Sequence, residues 1–104
     1  MIIINPETTP IKQNPFNTTV KKLFHNEKNE ILLLELEQNK NLEAVKIDNN
    51  AFFYILEGAP QIIINDEEKI IKAEALVFCP AGSTHCINNP NNYKARILVI
   101  KQLI

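Results

Sequence analysis

The side chains best suited to chemistry lie in one short segment, where His85 follows Cys79 and directly precedes Cys86. An imidazole can act as a general acid or base near neutral pH, and imidazoles and thiols together can bind zinc. Two thiols and one histidine are too few for a closed four-ligand zinc site. Because residues 1–10 do not resemble a secretory signal, we expect reduced cysteines that fill small apolar spaces. A disulfide across the intervening turn and a partial metal site are the alternatives.

The other polar candidates are weaker. His25 lies in a turn-like segment, FHNEKNE, and is expected to be a solvated loop residue. Tyr54 neighbours Phe53 in an apolar run, so in a strand its ring should point to the opposite face, away from the core. Cys86 adjoins His85, but adjacent residues of a strand point to opposite faces, which argues against a thiol–imidazole pair. His85 is therefore the only candidate for acid–base catalysis.

These residues must be positioned by β-structure. After Thr18 the chain is a series of short apolar or alternating runs, separated by clusters of Asn, Asp, Gly and Pro. No window shows a sustained apolar period of 3.6 residues, which an amphipathic helix requires. The pattern predicts an all-β protein with strands near residues 20–24, 31–36, 42–47, 52–56, 62–64, 69–73, 76–79, 85–87 and 95–101.

The chain has 104 residues, enough for one ordinary domain. We predict a single domain over residues 18–104, preceded by an arm over residues 1–17 in which the isoleucines at 2–4 could add an edge strand. Many short strands must protect their edges, and a sandwich, a jelly roll and a closed barrel all do so. Periodicity does not choose among these three architectures.

The segment EALVFCPAGSTHCINN, residues 74–89, resembles the second sequence motif of the cupin superfamily. Pro80, Gly82, His85 and Asn89 match the spacing of that motif, whereas Glu74 stands where the motif begins with glycine. The preceding FFYILEG resembles the end of the first cupin motif. The resemblance covers about residues 20–101 and implies a small, RmlC-like, double-stranded β-helix, the jelly-roll barrel of cupins.

The first cupin motif can be aligned by placing its last glycine at Gly58. Asn39 then occupies the position of the opening glycine. The two histidines and the glutamate that bind metal in many cupins are replaced by Val45, Ile47 and Ala51. Apolar side chains at these positions offer no donor atoms to offset the dehydration of a metal ion.

A spacing one residue longer places Ala44 and Lys46 at the histidine positions, and these are no better as ligands. Of the usual four metal ligands, His85 alone remains under either alignment. We therefore expect no metal and no other cofactor, and the metal-dependent dioxygenase and isomerase activities common among cupins lose their basis.

The resemblance also implies which residues face the inside of the barrel. A ligand-binding cavity should be lined by His85 and by the inward-facing residues of the first motif, namely Val45, Ile47, Ala51, Phe53 and Ile55. A mainly apolar wall with one or two polar groups is typical of a small-molecule site. The alternative for His85 is a core histidine hydrogen-bonded to a backbone carbonyl.

Three functions are compatible with these residues. The first is a metal-free cupin that binds a small, partly apolar metabolite inside the barrel. The second is a metal-independent isomerase, epimerase or lyase that uses His85 as acid or base. The third is a structural or interaction scaffold whose barrel is filled by its own side chains.

Composition restricts the partners. With 11 basic and 12 acidic residues the net charge is -1, so no strong positive field favours nucleic acid. The apolar runs are too short for a transmembrane helix, and we expect a cytoplasmic protein that does not bind membranes. The Ile-rich start and the alternating ILLLELE suggest a homodimer, as in many small cupins.

Overall fold

The computed structural model describes residues 1–13 and 18–103 of the chain, and short turns join its strands. In its described residues, 1–13, the arm contains one 3-10 turn, η1, at Pro6–Thr8, and residues 14–17 of the predicted arm lie outside the described residues. The strands are β1 (Thr19–His25), β2 (Asn29–Leu36), β3 (Val45–Lys46), β4 (Ala51–Glu57), β5 (Gln61–Ile64), β6 (Glu67–Ile70), β7 (Leu76–Cys79), β8 (Thr84–Asn88) and β9 (Ala95–Gln102).

The strands form two antiparallel sheets that pack into a double-stranded β-helix, and the prediction of an all-β jelly roll is confirmed. The five-stranded sheet has the order β1-β2-β9-β4-β7, and the four-stranded sheet has the order β3-β8-β5-β6. Neighbours in both sheets are often far apart in sequence, since β2 and β4 flank β9. The core therefore joins distant parts of the chain.

Strand β4 shows why the sequence alternates. Ala51, Phe53 and Ile55 are buried between the sheets, whereas Phe52 and Tyr54 are only partly buried. Because side chains alternate across a strand, one face of β4 belongs to the core and the other forms the outer surface. Tyr54 thus lies on the outer face, as its position relative to Phe53 predicts.

The predicted strand at residues 69–73 is displaced, because β6 begins at Glu67. A two-residue turn, Asn65 and Asp66, separates β5 from β6, and Ile64 pairs directly with Glu67. Asn65 has φ +54°, the left-handed conformation that such tight hairpins require and that Asn tolerates. The apolar pattern placed the strand too late because β6 is fully exposed and carries charged residues.

The predicted strand at residues 42–47 is reduced to the two residues of β3. Val45 and Lys46 pair with His85 and Thr84 of β8, and the flanking chain follows β8 through separate hydrogen bonds. Leu42 N–H donates to the carbonyl of Ile87 at 3.2 Å. The segment is thus extended along β8, but its hydrogen bonding is too interrupted for one continuous strand.

The arm contacts the edge of the five-stranded sheet through Pro6 and Ile11, and not through the isoleucines at 2–4 that could have added an edge strand. Residues 2–4 lie outside any strand and are exposed, whereas Ile11 forms an isolated bridge to Lys21 of β1. Lys21 Nζ also donates to the carbonyl of Pro6 at 2.8 Å. In the described part of the chain, no helix is long and apolar enough to span a bilayer.

Two residues take the left-handed conformation at positions where the cupin motifs have glycine. Asn39 has φ +57° at the start of the first motif, and Glu74 has φ +74° at the start of the second. Glycine adopts this conformation without a steric cost, whereas a Cβ makes it unfavourable. The backbone therefore keeps the geometry of the motifs although both glycines are replaced, and the position of Asn39 supports the alignment made from Gly58.

Candidate ligand-binding site

A cavity of about 350 Å³ lies between the two sheets. Its wall combines residues of both sheets and of the chain around β3. The lining residues are Thr18, Val20, Leu32, Leu34, Leu42, Val45, Lys46, Ile47, Asp48, Asn49, Ala51, Phe53, His85, Ile87, Val99 and Lys101.

Most of the predicted lining residues contribute to this wall. Val45, Ile47, Ala51 and Phe53 line the cavity together with His85. Ile55 does not: it is fully buried and pairs with Ile97, which is also fully buried. Ile55 faces the inside of the barrel, as predicted. Neighbouring side chains pack around it, so it belongs to the hydrophobic core and not to the cavity wall.

The five-stranded sheet supplies residues that the sequence analysis missed. Leu32 and Leu34 of β2 and Val99 of β9 extend the apolar wall, and Lys101 adds a charged group. The available signal was alternation along β9, where Ala95, Ile97 and Val99 are buried and Lys101 continues the same face. A lysine on the inner face of a strand is unusual enough to have been a candidate site residue.

His85 forms part of the wall between β3 and β5. Its ring lies edge-on to that of Phe53, with 5.3 Å between the centroids. Nδ1 is buried and has no hydrogen-bond partner among the described residues. Burial, and to a lesser extent the positive charge of Lys101, hold the pKa of His85 below its ordinary value, so the imidazole is neutral near pH 7.

Lys101 is part of a small charged network beside the cavity. Its Nζ lies 3.7 Å from Oε1 of Glu30, the residue that faces it across the β2–β9 pair. Glu30 also contacts Lys22 at 3.5 Å and His25 at 3.2 Å. Burial opposes ionisation of Glu30, but the surrounding lysines outweigh it and keep the pKa of this carboxyl below its usual value. Positive groups thus predominate at this end of β9.

The turn that precedes His85 is fixed by its own sequence. Ser83 N–H donates to the carbonyl of Pro80 at 3.2 Å, and Gly82 between them has φ +85°, as the third residue of a type II turn requires. Gly82 N–H donates to the carbonyl of Ile47 at 2.8 Å. These bonds hold the start of β8 against the chain after β3 and thereby position His85 at the wall.

Asn89 fixes the other end of β8. The side chain is fully buried, and Nδ2 lies within hydrogen-bond distance of the carbonyl oxygens of Leu36, Glu37 and Tyr93, at 3.1, 3.1 and 2.7 Å. Oδ1 accepts a hydrogen bond from the backbone N–H of Asn91 at 3.3 Å. This matched motif residue therefore has a structural role, because it ties β8 to the end of β2 and to the chain before β9.

Comparison with known proteins identifies the family. A family model described as "Cupin domain" matches residues 45–101, which is more than half of the chain. This chain belongs to the cupin superfamily. The match includes β3 and β8, and hence both Val45 and His85, whereas the lining residues of β1 and β2 lie outside it.

Solved structures show the same fold at low sequence identity. The TT1209 protein from Thermus thermophilus is 22% identical, with a TM-score of 0.83 over 98% of this chain and 97% of that one. A predicted oxalate decarboxylase from Thermotoga maritima is 18% identical, with a TM-score of 0.86 over 99% and 100% of the two chains. An RmlC-like cupin from Shewanella frigidimarina is 14% identical, with a TM-score of 0.86 over 96% and 88%. No curated protein sequence matches this cupin.

The cupin metal centre does not fit the residues present. The side chains around His85 at the aligned ligand positions, Val45, Ile47 and Ala51, line the cavity but carry no donor atoms. Across residues 1–13 and 18–103, no group of three or more His, Cys, Asp or Glu side chains is arranged to hold a metal ion. The polar groups of the lining are therefore one imidazole, two ammonium groups, one carboxylate, one amide and one hydroxyl, and they do not reproduce the cupin metal site.

The remaining candidates lie elsewhere. Cys79 and Cys86 are free thiols, and burial raises the pKa of Cys79 despite a hydrogen bond with Ser83. Cys86 donates to the carbonyl of Leu42 at 3.1 Å. His25 is exposed at the end of β1, where it contacts Glu30. Neither thiol lines the cavity, whereas His85 and Lys101 do.

Proposed function

We propose that this cupin binds a small, partly apolar molecule in the cavity between its sheets, without a metal ion. The observation that carries the proposal is the cavity itself: its volume of about 350 Å³ lies within the range of small-molecule sites, and its wall is mostly aliphatic and aromatic. An apolar group that enters it loses its contact with water, which is the main driving force for binding. The cytoplasm is the proposed compartment.

Titration with 1-octanol, followed by NMR chemical shifts and thermal unfolding, tests this proposal. Octanol has an apolar chain and one uncharged polar group, and at ten times its Kd it should stabilise the fold by about 1.4 kcal/mol. Val45→Phe should abolish binding, because the larger side chain occupies the cavity. Ala44→Phe is the control, since Ala44 is exposed and does not line the cavity. Absence of octanol binding, or equal binding by both variants, would contradict the proposal.

An acid–base reaction at His85 is the second candidate. It is favoured by one observation, a neutral imidazole at the cavity wall whose Nδ1 has no partner among the described residues. Such a base could remove a proton from a carbon atom next to a carbonyl group. Deuterium uptake at C3 of 2-oxooctanoate in D₂O, compared between the protein and His85→Ala, tests it; equal rates would exclude this role.

A scaffold with a filled barrel does not agree with the cavity.

We also propose a homodimer formed through the outer face of the five-stranded sheet. Leu76 and Phe78 of the edge strand β7 are 59% and 49% exposed, and Phe78 packs against Phe52 of β4 with 5.1 Å between the ring centroids. Exposed apolar groups in a contiguous patch favour association, and a second copy offers the same patch in a two-fold arrangement. Sedimentation of the protein and of Phe78→Lys tests this: a native monomer at micromolar concentration would contradict it.

A further inference from the structure

The charge distribution around the cavity indicates the chemical class of its occupant. Lys101 is half-buried at the wall, whereas the other charged lining residues, Lys46 and Asp48, have opposite signs and are exposed. Exposed charges are screened by water and salt, while a partly buried charge acts more strongly on a neighbouring ligand. The most effective charge at the wall is therefore the positive one of Lys101.

Glu30 does not fully satisfy Lys101. The distance of 3.7 Å between Nζ and Oε1 is longer than a charged hydrogen bond, which is normally near 2.7–2.9 Å. The same carboxylate is shared with Lys22 and His25. An ammonium group has three donors, so Lys101 can bind a second acceptor without losing its contact with Glu30.

His85 of the four-stranded sheet adds a neutral donor to the cavity that Lys101 lines from the other sheet. Because Nδ1 is buried without an acceptor among the described residues, nothing holds the proton on that nitrogen. An acceptor on the ligand would select the tautomer with the proton on Nε2. A neutral N–H and an ammonium group are together complementary to an anion.

The size of the cavity limits the apolar part. At about 30 Å³ for each heavy atom, as in liquid water, a volume of 350 Å³ holds about twelve heavy atoms. Leu32, Leu34, Ile87 and Val99 provide a long aliphatic surface for them. An unbranched or singly ringed molecule of this size fits better than a nucleotide or a sugar phosphate.

We propose that the occupant of the cavity is a small monocarboxylate of up to about twelve heavy atoms, with its apolar chain between the sheets and its carboxylate at Lys101 and His85. This inference rests on the proposed binding function and names its ligand class. It predicts that, among molecules with the same chain, a carboxylate binds more tightly than an alcohol, and an alcohol more tightly than an amine.

The test compares octanoate, 1-octanol and octylamine by calorimetry and NMR at about pH 7.5, where the imidazole is neutral. Octanoate should bind at least about tenfold more tightly than octanol, since hydrogen bonds to charged groups contribute more than neutral ones. If none of the three binds, the proposed function fails. If octanol binds and octanoate is no tighter, the proposed function stands and the carboxylate inference is wrong.

Two variants locate the head group. Lys101→Met keeps an apolar stem and should remove the preference for octanoate over octanol, while octanol binding that is retained shows that the cavity is intact. Glu30→Gln removes the carboxylate that competes for Lys101 and should tighten octanoate binding severalfold. Lys69→Met is the control, because Lys69 forms an ion pair with Glu67 on the exposed strand β6 and does not line the cavity. An unchanged preference for octanoate in Lys101→Met would overturn the assignment.

Discussion

Replacing Glu74 by glycine is expected to stabilise this protein. The backbone at Glu74 has φ +74°, where contact between Cβ and the following carbonyl costs roughly 1–2 kcal/mol. Glycine removes that cost, but it also makes the unfolded chain more flexible, which offsets roughly 0.4–1 kcal/mol of the gain. The side chain is exposed, so little packing is lost. The free energy of unfolding should therefore rise by about 0.7 kcal/mol.

Thermal and urea unfolding of Glu74→Gly measure this effect. For a domain of this size, the expected gain corresponds to a rise in Tm of roughly 3–6 °C. Glu74→Ala is the matched control, because it removes the same carboxylate but keeps a Cβ in the left-handed conformation. We expect no comparable gain from alanine. Equal stabilisation by both variants would assign the effect to the charge and refute the argument from backbone strain.

Three further predictions concern the same fold. Both Gly58 and Gly82 have φ +85°, but only at Gly58 would a Cβ lie 2.8 Å from a backbone oxygen. Urea unfolding should show that Gly82→Ala lowers the free energy of unfolding by about 1 kcal/mol and that Gly58→Ala lowers it clearly more. Equal losses would disprove the clash at Gly58. Asn89→Ala should lower the free energy of unfolding by about 3 kcal/mol, because buried carbonyl oxygens lose their donor, whereas Asn92→Ala, at an exposed position, should change it by less than about 0.5 kcal/mol. The pKa of His85 is lower in the folded than in the unfolded protein, so the fold favours the neutral imidazole. Its contribution to the free energy of unfolding is complete above about pH 6.5 and is lost as the pH falls through the folded-state pKa. His85→Gln should remove this contribution from the curve of stability against pH, and an unchanged curve would contradict the prediction.

The sequence was most informative where structure is specified locally. The spacing of Pro80 and Gly82 predicted the turn before His85, because the bond that closes this turn lies within the segment, from Ser83 N–H to the carbonyl of Pro80. Asn39 and Glu74 both have the left-handed conformation, which agrees with the alignment that places them at motif glycines. Local backbone geometry is thus readable from residue type and spacing.

The sequence predicted the part of the candidate site on β3, β4 and β8 but missed the part on the five-stranded sheet that β2 and β9 supply, because contacts between distant segments determine that part. Alternation indicates the inner faces of β9 and β2, but whether Lys101 and Leu34 line one cavity depends on the pairing of these two distant strands. Alternation along β4 correctly predicted that Ile55 faces inward. It did not predict that Ile55 is packed in the core away from the cavity, because that depends on the side chains of the facing sheet. Strand β6 was misplaced because its exposed, charged residues carry no apolar period.

His85 differs from the other residues that match the second cupin motif. Gly82 has a left-handed backbone, and Nδ2 of Asn89 lies within hydrogen-bond distance of three carbonyl oxygens, so the fold itself accounts for both. A histidine kept for packing should pair its buried nitrogen with a backbone group, but Nδ1 of His85 has no such partner among the described residues. A buried polar atom without a partner destabilises a fold by about 1–3 kcal/mol. Packing alone therefore does not account for His85, whose ring lines the cavity, and this is why we place the binding site at His85 and Lys101.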